Sequence, residues 1–139
     1  MDAPLYDEFL RQYTPLRADG DRRRYVTAQV LAAAALHRLD PDLLFALIAA
    51  ESGFDSEAVS PKAARGLGQM VFATARDLRQ LLGERKGDLR AALRAYYAGR
   101  GDRNLRGPDR DQYVARVSTR YASLKTKRSY ERLNATPAG

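Results

Sequence analysis

The chain has 139 residues, 45% of them hydrophobic and 29% charged, which gives room for one domain with one core and excludes wholesale disorder. It contains no cysteine and one histidine, His37, which excludes disulfide staples, thiolate chemistry and a zinc site of the usual Cys/His kind. A net charge of +7 favours anionic partners such as nucleic acid, an anionic cell wall or an acidic membrane surface, although solubility alone accounts for it as well.

At the start, Met1-Asp2-Ala3-Pro4 carries no basic region and no apolar stretch follows it, so no export signal is visible. The expectation is a trimmed mature form or another route out of the cell. A first helix is predicted from Pro4 to Tyr13. An alanine-rich helix should follow from Arg22 to His37, with Gly20-Asp21 as its start signal. Asp40-Pro41 supplies an N-cap and a first-turn proline for a helix ending near Ser52, with Gly53 as its C-cap. Gly53 to Met70 reads as an ordered loop, because Pro61, Gly66 and Gly68 stand among small residues. A helix from Phe72 to Leu82 should stop at Gly83. Asp88 caps the next, which runs to Ala98. Gly101 to Gly107 is a polar, arginine-rich loop, and Pro108 opens a last helix reaching about Leu124. Lys125 to Gly139 reads as a basic polar tail or linker. No strand signal is present. The expected architecture is therefore all-α, one domain over residues 1–124 with residues 1–20 as an N-terminal arm or helix. The longest apolar runs, Val30 to Leu36 and Leu43 to Ala50, are too short to span a bilayer.

Chemistry concentrates after the second of these runs. A helix apolar on all sides is a buried one. Leu44, Leu47, Ile48 and Glu51 share a face, so the carboxylate continues a buried stripe. Burial and the negative end of a helix both raise a carboxylate's pKa, and a carboxyl still protonated near neutral pH can donate to a leaving oxygen. The alternative is a glutamate that turns into solvent at a helix end. Downstream, Gly66 and Gly68 would let a backbone approach a ligand, or simply form a turn. Gln69 offers an amide suited to sugar hydroxyls and acetamido groups.

The stretch from Glu51 to Ala75, "ESGFDSEAVSPKAARGLGQMVFATA", resembles the core motif of the Slt-type lytic transglycosylases: Glu-Ser, Phe-Asn/Asp, a Ser-Pro turn, Gly-Leu-Met-Gln, then Pro-x-Thr-Ala. "LDPDLLFALIAAES" resembles the helix that delivers that family's glutamate. "AALRAYYAGRG" resembles its Ala-Tyr-Asn-Ala-Gly motif, and "YVARVSTRY", Tyr113 to Tyr121, its closing helix. The resemblance implies a compact lysozyme-like helical domain. It implies Glu51 as catalytic acid and base, with Ser52, Gly66, Leu67, Gly68, Gln69, Tyr96, Tyr97 and Tyr113 around the substrate. Ser52 would help hold the acetamido group, Gly66 to Gly68 would form a loop beneath the sugar, and Tyr96 would hydrogen-bond the carboxylate. Phe54 and Met70 match apolar positions at or under the site. This chain departs from the pattern at Gly68 (Met in the family), Phe72 (Pro) and Tyr97 (Asn), and in a short connection from Ala75 to Ala95.

The implied reaction cleaves the β-1,4 bond between N-acetylmuramic acid and N-acetylglucosamine in peptidoglycan without water. One carboxylate acts twice, where most glycosidases use two, and no metal or cofactor takes part. The implied partners are peptidoglycan and the anionic wall, with no nucleic acid and no membrane span. The chain would act as a monomer in the periplasm, envelope or outside the cell. Two rivals are a goose-type muramidase, with water as nucleophile, and a catalytically degenerate peptidoglycan-binding module. A nucleic-acid binder is the weakest reading, since a solvated face explains Arg22-Arg23-Arg24 and the Gly101 to Arg110 stretch more simply.

Overall fold

The computed structural model describes residues 3–14, 19–50, 61–98 and 107–135, with the backbone alone for 61–67, 107–109 and 135. These residues form six helices and no strand: α1 Ala3–Tyr13, α2 Gly20–His37, α3 Pro41–Ala50, α4 Pro61–Glu84, α5 Leu89–Ala98 and α6 Gly107–Ala135. The all-α expectation holds.

α3 is the centre of the molecule. Every residue from Asp42 to Ala50 is buried, and the helix packs against α1, α2, α4 and α6. Its uniformly apolar sequence leaves no face for water, so other helices must cover it on all sides. Asp40 caps it as predicted: its Oδ1 accepts from the Asp42 amide at 2.9 Å, and Pro41 occupies the first turn where no amide partner is needed. α1 leans on the same core. Tyr6 stacks on Phe45 with ring centroids 4.0 Å apart and 12° between planes, and Phe9 meets Phe45 edge-on.

The cap of α2 is Asp19, one residue ahead of the predicted Gly20-Asp21 signal; its carboxylate accepts from the Arg22 amide at 2.9 Å. α2 ends in a Schellman turn. Leu39 N–H bonds Ala34 C=O, Arg38 N–H bonds Ala35 C=O, and Arg38 is left-handed at φ 56°. Arg23, buried in α2, ties it to α1 through Asp7 at 2.7 Å.

Two helices, α4 and α6, depart most from the sequence reading. The segment read as a loop up to Met70 is helical from Pro61 onward, and Gly66 to Gly68 lie inside α4. Pro61 sits at the first helical position, which suits proline, and alanines follow it. At position 72 a proline would lack an N–H and crowd the residue 68 carbonyl, whereas Phe72 preserves the helix. α4 also passes through Gly83 to Glu84. It closes with a second Schellman turn, in which Gly87 N–H bonds Leu82 C=O and Lys86 N–H bonds Gly83 C=O, with Lys86 left-handed at φ 56°. Asp88 then caps α5, accepting from the Ala91 amide at 3.1 Å, so the connection between α4 and α5 is short, and the amides of Arg85 to Asp88 all donate to backbone carbonyls.

The second correction is at the C-terminus. α6 does not stop near Leu124; residues Lys125 to Ala135 continue it. Two of these residues are fastened to the start of α3. Lys125 Nζ lies 2.6 Å from Asp40 Oδ2 and 3.2 Å from Asp42 Oδ2, and Arg128 pairs with Asp42. Their partners on α3 are what give this polar stretch a reason to stay helical.

Candidate active site

α3 reaches Ala50 without a break in its burial, so the chain enters position 51 from an apolar helix. Glu51 and Ser52, with Phe54, Asp55 and Glu57, fall in residues 51–60, outside the described residues. The backbones of Gly66 and Leu67 are helical turns of α4. The described side chains of the predicted site come from α4, α5 and α6.

Gly68 is buried where α4 crosses α2. A Cβ added there would lie 3.0 Å from Tyr25 Oη and 3.2 Å from Gln29 Oε1. The space that a side chain would fill at this position is thus taken by two residues one turn apart on α2. Gln69, the next residue, is exposed. One turn further, Thr74 is buried, with its Oγ1 3.4 Å from Tyr96 Oη and 3.6 Å from Met70 Sδ. The Thr74–Tyr96 contact joins α4 to α5 and locates the Tyr96 hydroxyl. Tyr96 and Tyr97 are both half-buried and packed against the core. Tyr97 lies against Tyr113 of α6, ring centroids 4.8 Å apart at 34°. Tyr113 itself is buried.

Tyr96, Tyr97, Tyr113, Gly68 and Gln69 thus sit on three helices that share the core with α3. Sequence reasoning had assigned no role to Thr74, Tyr25 or Gln29. Thr74 lay within the quoted motif; Tyr25 and Gln29 had only their i, i+4 spacing to show that they share a face. Phe72 packs on the core as a partly buried residue. Among the described residues no three His, Cys, Asp or Glu side chains come together to hold a metal ion, and no helix is long and apolar enough to cross a membrane.

Residues 29–101 match the family model of the transglycosylase SLT domain, over more than half of the chain. The chain belongs to that family. At the family level this is a lytic transglycosylase-type domain whose substrate is peptidoglycan. The match begins at Gln29 and encloses Glu51, Ser52, Gly66 to Gln69, Tyr96 and Tyr97; Tyr113 lies beyond its end. No curated protein and no solved structure matches the chain. Beyond the matched residues, α6 supplies Tyr113 to the ring pair with Tyr97.

Proposed function

We propose that the chain is a peptidoglycan lytic transglycosylase that cleaves the N-acetylmuramic acid–β-1,4–N-acetylglucosamine bond without water, with Glu51 as its single acid and base. The observation that carries this reading is the family match across Glu51, combined with the burial of α3 up to the preceding residue. A carboxyl delivered by an apolar helix is held protonated by desolvation, which is the form required to donate.

In this reaction Glu51 gives its proton to the glycosidic oxygen as the C1–O bond breaks. The acetamido group of the muramic acid supports the positive charge that develops at C1. The Glu51 carboxylate then takes the proton of the same sugar's C6 hydroxyl while that oxygen bonds to C1. The products are a 1,6-anhydro end and a free 4-hydroxyl, and the proton count closes on Glu51. Ser52 and Gln69 hold the sugar, and Tyr96, located by Thr74, is the hydrogen-bond partner of the carboxylate. The place of action is the periplasm or the cell envelope, where the substrate is.

The mass of the fragments released from purified peptidoglycan tests this. Anhydro products are lighter by one water than those of hydrolysis. Reducing ends alone would establish the muramidase reading. Attachment to the wall with no fragments released would establish a degenerate binding module.

A further inference from the structure

The described residues carry one cationic groove for which the proposed reaction has no use. It lies between the end of α1 and the first half of α6, encloses about 380 Å³, and is lined by Tyr13, Gln112, Ala115, Arg116, Thr119 and Arg120. Arg116 and Arg120 stand one helical turn apart on the same face of α6, a like-charge spacing that disfavours the helix. Neither has a carboxylate partner within ion-pair distance among the described residues. Two of the acids on these helices are committed elsewhere: Asp7 to Arg11 and Arg23, and Asp111 to Arg94 and Arg110. Glu8 on α1 makes no ion pair.

Arg120 is also held in place. Its guanidinium carbon lies 4.9 Å from the centroid of the Tyr13 ring, and Tyr13 in turn rests on Phe9 at 5.0 Å. The ring face attracts the guanidinium and holds it beside the groove. Burial, and then the charge of Arg116, disfavour the Arg120 cation, with Tyr13 acting in the opposite direction. Thr119 and Gln112 add hydroxyl and amide groups beside it. Two guanidiniums on one face, one of them held over a tyrosine ring, suit an oxyanion.

We propose that this groove binds the carboxylates of the peptide stems of peptidoglycan, as a second point of attachment to the strand that the same domain cuts. This rests on the transglycosylase reading for the identity of the strand. The charge is complementary: the chain carries +7, and the stems are the part of the wall polymer that presents carboxylates at regular intervals. Contacts of this kind add effective concentration without touching the scissile bond.

The experiment titrates a soluble stem peptide, free of sugar, into the full-length protein and follows the side-chain Nε–Hε signals of Arg116 and Arg120 by NMR. The expected result is a saturable shift of both signals. The same peptide with amidated carboxylates should shift neither. Arg116→Gln, at an exposed position that leaves the Tyr13 stack intact, should weaken binding about tenfold, the loss expected for one charge-assisted hydrogen bond. Arg116→Gln/Arg120→Gln should abolish it while far-ultraviolet circular dichroism shows the helical fold retained. Equal binding of the amidated peptide, or of the Arg116→Gln protein, overturns the proposal. So does inorganic phosphate shifting the two signals at lower concentration than the peptide. Because no bond is cut in this measurement, a protein that releases anhydro fragments but ignores the peptide refutes the groove alone. One that binds the peptide but yields hydrolytic products refutes the transglycosylase reading alone.

Discussion

Arg128 Nη2 lies 2.5 Å from Asp42 Oδ1, and Arg128 Nε lies 3.1 Å from Asp42 Oδ2, although 86 residues separate them in sequence. The two-point pairing joins the last helix to the first turn of the central one. Tyr6 Oη donates to the same carboxylate at 2.6 Å and accepts from Arg128 at 2.7 Å, which brings α1 into the clasp. Asp42 is fully buried, so its charge depends on these donors.

Removing one half of a buried pair leaves the other uncompensated, at a cost of about 3–5 kcal/mol. Asp42→Asn should therefore lower the unfolding free energy by that amount, seen as a lower urea midpoint with the slope unchanged. A chain ended after Leu124 loses both Arg128 and Lys125 and should be at least as unstable. A truncated chain as stable as the full one would show that the clasp contributes nothing.

The clasp also sets the response to pH. Burial pushes the Asp42 carboxyl up, but hydrogen bonds from Arg128 and Tyr6 and the Arg128 charge outweigh it and hold the pKa below the ordinary carboxylate value. A depressed pKa contributes stability above the unfolded value of about 3.9, and that stability is lost as pH falls through the folded value. Tyr121 is the opposite case. Burial, with its hydrogen bond to Asp40, raises it to about 12. Its contribution is complete below the unfolded value of about 10 and is lost as pH rises from there through the folded value. Urea midpoints against pH should fall on both sides, the acid limb flattening in Asp42→Asn and the alkaline limb in Tyr121→Phe.

Gly68→Ala sets helix propensity against a clash. Alanine gains about 1 kcal/mol over glycine in a helix interior. Here its Cβ would lie 3.0 Å from Tyr25 Oη and 3.2 Å from Gln29 Oε1. The clash should win, with a net loss of about 1 kcal/mol. Tyr25→Phe removes the obstructing oxygen, so the double variant should recover stability relative to Gly68→Ala alone. Additive effects in this double-mutant cycle would sink the packing argument.

Tyr97 stands where the family has asparagine, and its ring lies against Tyr113. Tyr97→Asn should cost about 1–2 kcal/mol through the lost ring pair and burial, while activity per folded molecule is kept or raised. A large drop in activity at full folding would give Tyr97 a role of its own in the reaction.

Glu51→Gln preserves shape but transfers no proton. General acid–base groups contribute about 10²–10⁴ in rate, and one residue serving both half-reactions places the expected loss at or above the top of that range. Folding and attachment to insoluble peptidoglycan should survive. Cleavage at the wild-type rate would remove Glu51 from the mechanism.

Much of this was legible in the chain itself. Caps such as Asp40-Pro41 and Asp88, the apolar run of α3 and the alanine-rich α2 act over a few residues, so their energies can be read locally. The family motif from Glu51 to Ala75 is likewise a run of neighbours. Local signals misled where distant contacts decided the outcome. Gly66 and Gly68 signal a turn, but they lie in α4, with Gly68 packed against Tyr25 and Gln29 of α2. Lys125 to Ala135 shows no apolar stripe that would predict a packed helix, yet α6 runs through it, with Lys125 paired to half-buried Asp40 and Arg128 to buried Asp42. Apolar periodicity is printed along the chain, whereas a pairing of charges on two helices exists only once the fold has placed both ends of it.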